Sequence, residues 1–338
     1  MKKSILAIST LALMLASCSQ DETIEVTTRE AIAFGNAFIE NSTRAVDNSY
    51  NNDGFRAPFH VYGTITNKNG ETANLFNQEL VKKINGNWVY NEANTQYWIP
   101  GNTYNFTAIV DGNKKGTSSD ITSVTTDKTT GMPEVITLYD ASQQLDILYA
   151  KSEQRNYKLG DPTEEVKFTF HHLLSKAKVT VKNEMTVNSG YSYTVENVYI
   201  EKSPQKARYI VAQNQWKEHV AGNYKPNFGN VVAVADINGA EASMIEYNQT
   251  YTANWERLLV PVKDKLYITF TRKLYRSGVL IETEKVTVET KEVVDLQPGC
   301  AYNFSIKLGN PGDPIKFSVA AVNGWGNDNE VETQGTNK

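Results

Sequence analysis

Cysteine and histidine are both scarce in this chain. Its 338 residues contain two cysteines, Cys18 and Cys300, and four histidines. Two cysteines are too few for a disulfide framework, and we interpret Cys300 as a buried structural residue. His171 and His172 are adjacent, but neighbours on a strand point to opposite faces, and no third ligand lies at a useful spacing. We therefore expect no metal site.

Catalytic motifs are missing as well. The sequence lacks Gly-x-Ser-x-Gly, a phosphate-binding P-loop and His-Glu-x-x-His. Residues 49–54 have the look of a calcium loop, but the leading Asp is missing and His60 stands where Glu is needed. Acidic pairs such as Glu164-Glu165 leave a glycan-active enzyme as a weak alternative, because sequence does not give the carboxylate separation. We expect no enzyme and no cofactor.

The chain has no surplus of basic residues. Lys and Arg total 34 against 38 for Asp and Glu, so the net charge is −4, and loss of Lys2 and Lys3 with a signal would give −4 − 2 = −6. This balance disfavours nucleic acid as a partner, because nucleic acid needs a basic face. Hydrophobic residues make up 40% and charged residues 21%, which is typical of a globular chain with a sizeable core.

The N-terminus carries an apolar run, residues 5–15, that is too short to span a bilayer. It follows two lysines and ends in Leu-Ala-Ser-Cys at 15–18, which resembles a bacterial lipobox. This pattern predicts a lipoprotein signal peptide at 1–17, cleavage before Cys18, and acylation of Cys18 with palmitate-type chains. Two or more acyl chains attach a protein stably to a membrane, whereas a single chain binds only weakly and reversibly. Acylated Cys18 is therefore predicted to anchor the chain in the outer membrane.

The body of the chain reads as β-structure. Tyrosine (18) outnumbers phenylalanine (12), and Asn69-Gly70 and Asn85-Gly86 are hairpin-turn signals. No long window has helical periodicity, and only residues 171–176 could hold a helical turn or two. The sequence therefore predicts an all-β fold, with clear strands at 59–65, 104–110, 166–170, 178–181, 193–200, 266–270, 286–288 and 302–308.

A polar segment at 151–164 separates two strand-rich halves and carries Gly-Asp-Pro near its end. We place a domain boundary there. The predicted organisation is an N-terminal arm at 18–44, an N-terminal antiparallel β-sandwich domain at 45–160 and a C-terminal one at 161–338.

Five tryptophans leave an alternative function open. Exposed indole rings could form a stacking platform for sugars, whereas large aromatics also fill sandwich cores. The first interpretation makes the chain a surface glycan-binding lipoprotein that does not polymerise. The residues are Trp88, Trp98, Trp216, Trp255 and Trp325.

Several short sequence stretches, spread over nearly the whole chain, occur in an order that is typical of one protein family. They are the lipobox, Asn-Ser-Thr-Arg-Ala at 41–45, Tyr-Trp-Ile-Pro at 97–100 before Tyr-Asn-Phe-Thr-Ala at 104–108, residues 170–179, and 315–319 followed by Trp325. Together they resemble the fimbrillin family, the subunits of type V pili of Bacteroidales-type bacteria. The resemblance implies two transthyretin-like antiparallel β-sandwich domains in tandem.

The resemblance also implies a function and partners. The chain would be exported as an outer-membrane lipoprotein, cleaved by an Arg-specific protease, and polymerised by strand exchange with the same or related fimbrial subunits. It would then lie at the cell surface in a fimbria (pilus) and serve cell adhesion, with a host or bacterial surface ligand as a further partner.

Residues 30–40 read as a first strand, in which Ile32, Phe34 and Phe38 share one face at a period of two. The polar segment that follows is typical of protease-sensitive sites, so we predict cleavage between Arg44 and Ala45. Cleavage would free the strand and open a groove that another chain's strand could fill. Three apolar side chains at about 1.5–3 kcal/mol each would give such a joint roughly 5–9 kcal/mol. An uncut chain would be an anchor subunit or a surface lipoprotein.

The candidate donor strand follows a turn signal at 309–314. Ile315, Phe317 and Val319 alternate with polar residues and share one face. Either this segment is the final strand of the second sandwich, paired within its own chain, or it leaves to fill the next subunit's groove. The tail from residue 326 onward is too poor in apolar residues to be the donor itself.

Overall fold

The computed structural model describes residues 30–39, 57–111, 122–138, 140–186, 190–233, 241–322 and 325. Within them the regular elements are β-strands and three short 3₁₀ turns, which confirms the all-β prediction. The helical turn considered for 171–176 does not form, because one strand runs to His172 and the next begins at Ser175. Over the described ranges, no helix is long and apolar enough to cross a membrane.

The largest sheet comes mainly from the first half of the chain. Its strands are β1 (Phe34–Ile39), β2 (Phe59–Thr66), β3 (Thr72–Ile84), β4 (Asn87–Val89), β5 (Asn102–Val110), β8 (Leu148–Lys151), β9 (Arg155–Tyr157) and β10 (Val166–His172). They lie in the order β1-β10-β8-β5-β2-β3-β4, with β9 also beside β5. β1 runs parallel to β10, whereas β8 runs antiparallel to it. The inner face of this sheet encloses a first core that includes Phe59, Phe106 and Phe168.

Two further sheets from the second half pack around a second core. The strands are β11 (Ser175–Asn183), β12 (Tyr191–Glu201), β15 (Asn227–Gly229), β16 (Val231–Val232), β17 (Thr250–Ala253), β18 (Arg257–Leu259), β19 (Lys263–Asp264), β20 (Tyr267–Arg276), β21 (Val279–Glu289), β22 (Val294–Asp295), β23 (Ala301–Leu308) and β24 (Lys316–Val322). One sheet has the order β16-β17-β11-β23-β24, with β18 beside β11, and the other has the order β15-β12-β20-β21. β19 and β22 form a separate two-stranded pair.

A four-stranded sheet joins the two halves. It consists of β6 (Thr122–Thr126), β7 (Pro133–Leu138), β13 (Pro204–Ile210) and β14 (Gln215–Ala221), in the order β14-β13-β7-β6. A third core lies here and takes Tyr62 and Ile109 from the first half and Leu258 and Trp325 from the second.

The predicted boundary near residue 160 does not coincide with a boundary between sheets. β10 lies beyond it yet belongs to the first sheet, and β13 pairs with β7 across it. The predicted linker itself contains β9, which pairs with β5. The linker is polar because β9 and its flanks are exposed or half-buried. The division into two domains stays a prediction.

Candidate strand-exchange site

The arm, residues 30–39 with strand β1 at Phe34–Ile39, is held by backbone hydrogen bonds on two sides. On one side it follows β10, from Phe34 opposite Val166 to Ile39 opposite Phe170. On the other side, the residues before it bond to the loop ahead of β5. The flanking bonds are Val166 N–H to Ala33 O (2.8 Å), Ile32 N–H to Gln96 O (2.8 Å) and Trp98 N–H to Glu30 O (3.0 Å).

Phe34 is the main apolar anchor of the arm. Its side chain is 2% exposed and lies among four aromatic rings. The centroid distances are 5.5 Å to Phe76, 5.6 Å to Tyr90, 6.0 Å to Phe168 and 6.1 Å to Phe106. Ile32 is also buried, and the Tyr90 hydroxyl donates to the Ile32 carbonyl at 2.8 Å.

Phe38 does not share the face of Ile32 and Phe34, so the sequence prediction is wrong at this residue. Between Phe34 and Ala37 the arm advances three residues while β10 advances two, from Val166 to Phe168. This irregularity reverses the alternation. Ala37 points inward and is 7% exposed, whereas Phe38 is 56% exposed. Two large side chains then give about 3–6 kcal/mol of burial, less than the three-residue sum.

The pairing of β10 divides along its length. His171 and His172 pair with β8, whereas residues 166–170 form the stretch that pairs with β1. Departure of the arm would therefore take a strand neighbour from that stretch and remove Phe34 from the centre of its ring cluster. The result would be an apolar groove with backbone groups along one edge, which is the form that strand addition fills.

The candidate donor segment is an in-chain strand in this structure. β24 pairs antiparallel with β23, from Lys307 opposite Lys316 to Ala301 opposite Val322. Phe317 is 8% exposed and contacts Phe304 at a centroid distance of 6.0 Å. Ile315 and Val319 are half-buried. β24 lies at the edge of its sheet, and its donor role stays a proposal. Cys18, Arg44 and Ala45 lie outside the described residues.

Comparison with known proteins fixes the family. The sequence pattern described as Fimbrillin-like matches residues 43–325, which is most of the chain. The chain belongs to the fimbrillin-like family. This confirms the resemblance drawn from the ordered sequence stretches. No curated protein matches the chain at a significant level.

Solved structures share the fold of this fimbrillin-like chain. A fimbrial protein from Bacteroides vulgatus is 14% identical, with a TM-score of 0.63 over 87% of this chain and 99% of its own. A candidate cell adhesion protein from Bacteroides ovatus is 17% identical, with a TM-score of 0.50 over 86% of this chain and 97% of its own. At these identities the likeness concerns the fold.

The tryptophans of this fimbrillin-like chain do not form an exposed sugar platform. Trp98, Trp216 and Trp325 are buried, and Trp88 and Trp255 are half-buried. Trp88 packs against Phe59 at 5.0 Å, and the Arg257 guanidinium covers Trp255 at 4.8 Å. The feature that motivated the glycan-binding alternative is therefore missing.

The histidine pair and Cys300, which the sequence analysis also considered, lie in the following surroundings. His171 is exposed and His172 buried, as expected for neighbours on a strand. Cys300 is a half-buried free thiol, and burial raises its pKa. Across the described ranges, no cluster of His, Cys, Asp and Glu is suited to a metal ion.

Sequence reasoning missed the residues that clamp the arm from the side opposite β10. Tyr90 and Gln96 bond to the backbone of Ile32, but they are far from it in sequence. A tyrosine just after the Asn85-Gly86 hairpin carries no local signal for this role. The contact is set by how the β3–β4 hairpin folds over the arm.

Proposed function

We propose that this fimbrillin-like protein is a structural subunit of a cell-surface fimbria, exported as a lipoprotein through Cys18, cleaved between Arg44 and Ala45, and polymerised by donor-strand exchange. The observation that carries the proposal is the arm strand β1, which lies at one end of the largest sheet and fills its core with Phe34. Arg44 follows the last residue of β1 by 44 − 39 = 5 residues.

Cleavage would change how the arm is held. Before it, the arm is covalently joined to the domain and docks without losing translational freedom. After it, the arm is retained by its hydrogen bonds and by about 3–6 kcal/mol of apolar burial, so a strand from another subunit can compete. The lipid on Cys18 would leave with the arm and release the subunit from the outer membrane.

The C-terminal strand β24 has an apolar pattern that matches the arm, which supports its role as the donor strand. Ile315 and Phe317 repeat the two-residue spacing of Ile32 and Phe34, and β24 is an edge strand with one strand neighbour, β23, in the described part of its sheet. The partners are then other subunits of this or a related kind and an Arg-specific protease. A surface ligand at the fimbrial tip is compatible with this role, with no residue assigned to it.

The test uses the full chain with the substitution Cys18→Ala, so that the protein is not lipidated and polymerisation is measured without membrane attachment. Treatment with an Arg-specific protease is expected to yield a ladder of polymers on denaturing gels and a new N-terminus at Ala45. Arg44→Ala should stay folded and monomeric under the same treatment.

A matched control is Arg29→Ala, because Arg29 precedes the arm strand and a cut there leaves the strand attached. This variant should polymerise like the parent chain. Equal ladders from Arg44→Ala and the parent, or a cleaved chain that stays monomeric, would contradict the proposal.

A further inference from the structure

A buried stacking contact holds the C-terminal segment after β24 to the centre of the molecule. The Trp325 ring is 3% exposed and lies on the His172 ring, with a centroid distance of 3.5 Å and an angle of 13°. The Lys176 ammonium lies 5.8 Å from the indole centroid and donates to the Trp325 carbonyl at 3.5 Å. Trp325 follows the end of β24 by 325 − 322 = 3 residues. This contact therefore fixes the chain just beyond the candidate donor strand.

The His172 imidazole, on which the Trp325 ring stacks, is held in place by Asp146. His172 Nδ1 is hydrogen-bonded to Asp146 Oδ2 at 2.7 Å, and both side chains are buried. Within the described residues, Trp325 Nε1 and His172 Nε2 have no protein hydrogen-bond partner. Burying a polar N–H without a partner is unfavourable, so this contact depends on stacking and on correct placement of the imidazole.

Strand β10 contains both His172, which is the seat of the Trp325 ring, and the edge on which the arm docks. His172 is the last residue of β10, and residues 166–170 of β10 pair with β1. The pairing of β10 with β8 covers only His171 and His172. Loss of β1 would therefore leave β10 attached to the sheet through its C-terminal end, where the imidazole sits.

We infer that Trp325 on His172 is a latch that retains the C-terminal strand while the arm is docked, and that β10 couples the latch to the arm. With the arm in place, β10 is supported along its length and the imidazole is held under the indole. When the arm leaves, the stacking contact loosens, and within the described part of its sheet β24 is then held by its pairing with β23. Coupling between two sites is reciprocal, so opening the latch must also loosen the arm.

The inference rests on the proposed function for its role in assembly, where it would keep an unprocessed subunit from offering its donor strand. Its physical content concerns the monomer alone. It can therefore hold in a protein that never polymerises, and it can fail in one that does.

The test is hydrogen exchange followed by mass spectrometry on the full chain with Cys18→Ala. Trp325→Ala is expected to speed exchange of the β24 amides at least tenfold with the arm intact. By reciprocity, the same variant should also speed exchange in residues 30–39. Phe34→Asp, which undocks the arm, should speed β24 exchange in the parent and add little in Trp325→Ala.

The matched control is Trp216→Ala, another buried tryptophan of the same core, whose Nε1–H donates to the Leu173 carbonyl. It is expected to lower the melting temperature without selective exchange in β24. Selective β24 exchange in this control would overturn the latch. Unchanged exchange of residues 30–39 in Trp325→Ala would overturn the coupling, and this readout does not require Phe34→Asp to fold.

Discussion

Replacement of Phe34 by alanine should destabilise the protein far more than the same change at Phe38. Phe34 is 2% exposed among four rings, whereas Phe38 is 56% exposed four residues later on the same strand. Truncation of a buried phenylalanine typically costs about 3–5 kcal/mol, and exposed substitutions change stability by about 0.5 kcal/mol or less. The pair therefore tests the arm's orientation with one strand and one type of substitution.

The size of the Phe34→Ala effect has an upper limit set by the arm itself. If docking is worth about 3–6 kcal/mol of burial, a larger loss would let the arm detach while the remaining sheets stay folded. We therefore expect a loss of about 3–5 kcal/mol together with faster hydrogen exchange in residues 30–39. Exchange in β20, around Ile268 and Phe270 of the second core, should stay slow.

Urea unfolding followed by tryptophan fluorescence measures this loss, because Trp98 lies beside the arm and its backbone N–H donates to the Glu30 carbonyl. With a denaturant slope of about 3 kcal/mol per molar, a loss of 3 kcal/mol lowers the midpoint by about 1 M. Similar midpoint shifts for Phe34→Ala and Phe38→Ala would refute the reversed alternation in β1. Large midpoint shifts for both variants would restore the face predicted from the sequence, on which Phe34 and Phe38 are both buried.

Three further predictions concern other parts of the chain. Phe317→Asp should unfold or strongly destabilise the monomer, because it places a charge in a buried site; a variant that melts like the parent would show that β24 is not an essential in-chain strand. Burial raises the pKa of Asp140, but hydrogen bonds from Ser142 and Gln205 lower it more, so the net pKa lies below the ordinary 3.8. Its stabilisation is therefore present above pH 3.8 and lost as the pH falls further; Asp140→Asn should flatten the acid limb of stability against pH, and an unchanged limb would contradict this. Cys18→Ala should leave unlipidated precursor, as read by mass spectrometry of the N-terminus, and normal surface levels with an unchanged N-terminus would contradict the lipobox prediction.

The local sequence determined the β-strands and several of their turns. Alternating residues predicted β2, β5, β10 and β23 nearly to their ends, because a period of two with one buried face is a local property of a strand. The Asn85-Gly86 turn joins β3 to β4, and both residues have positive φ, 51° and 88°. The family resemblance likewise depended on short stretches in order and was confirmed.

Tertiary packing decided the features that involve partners distant in sequence. The period-two pattern placed Phe38 inward, but the register of β1 against β10 inserts one extra residue and turns Phe38 out. The polar stretch at 151–164 suggested a clean boundary, but β10 and β13 pair across it. The seat of Trp325 on His172 joins residues 153 positions apart (325 − 172). Strand register and ring stacking depend on which elements meet in space, and no local pattern encodes that meeting.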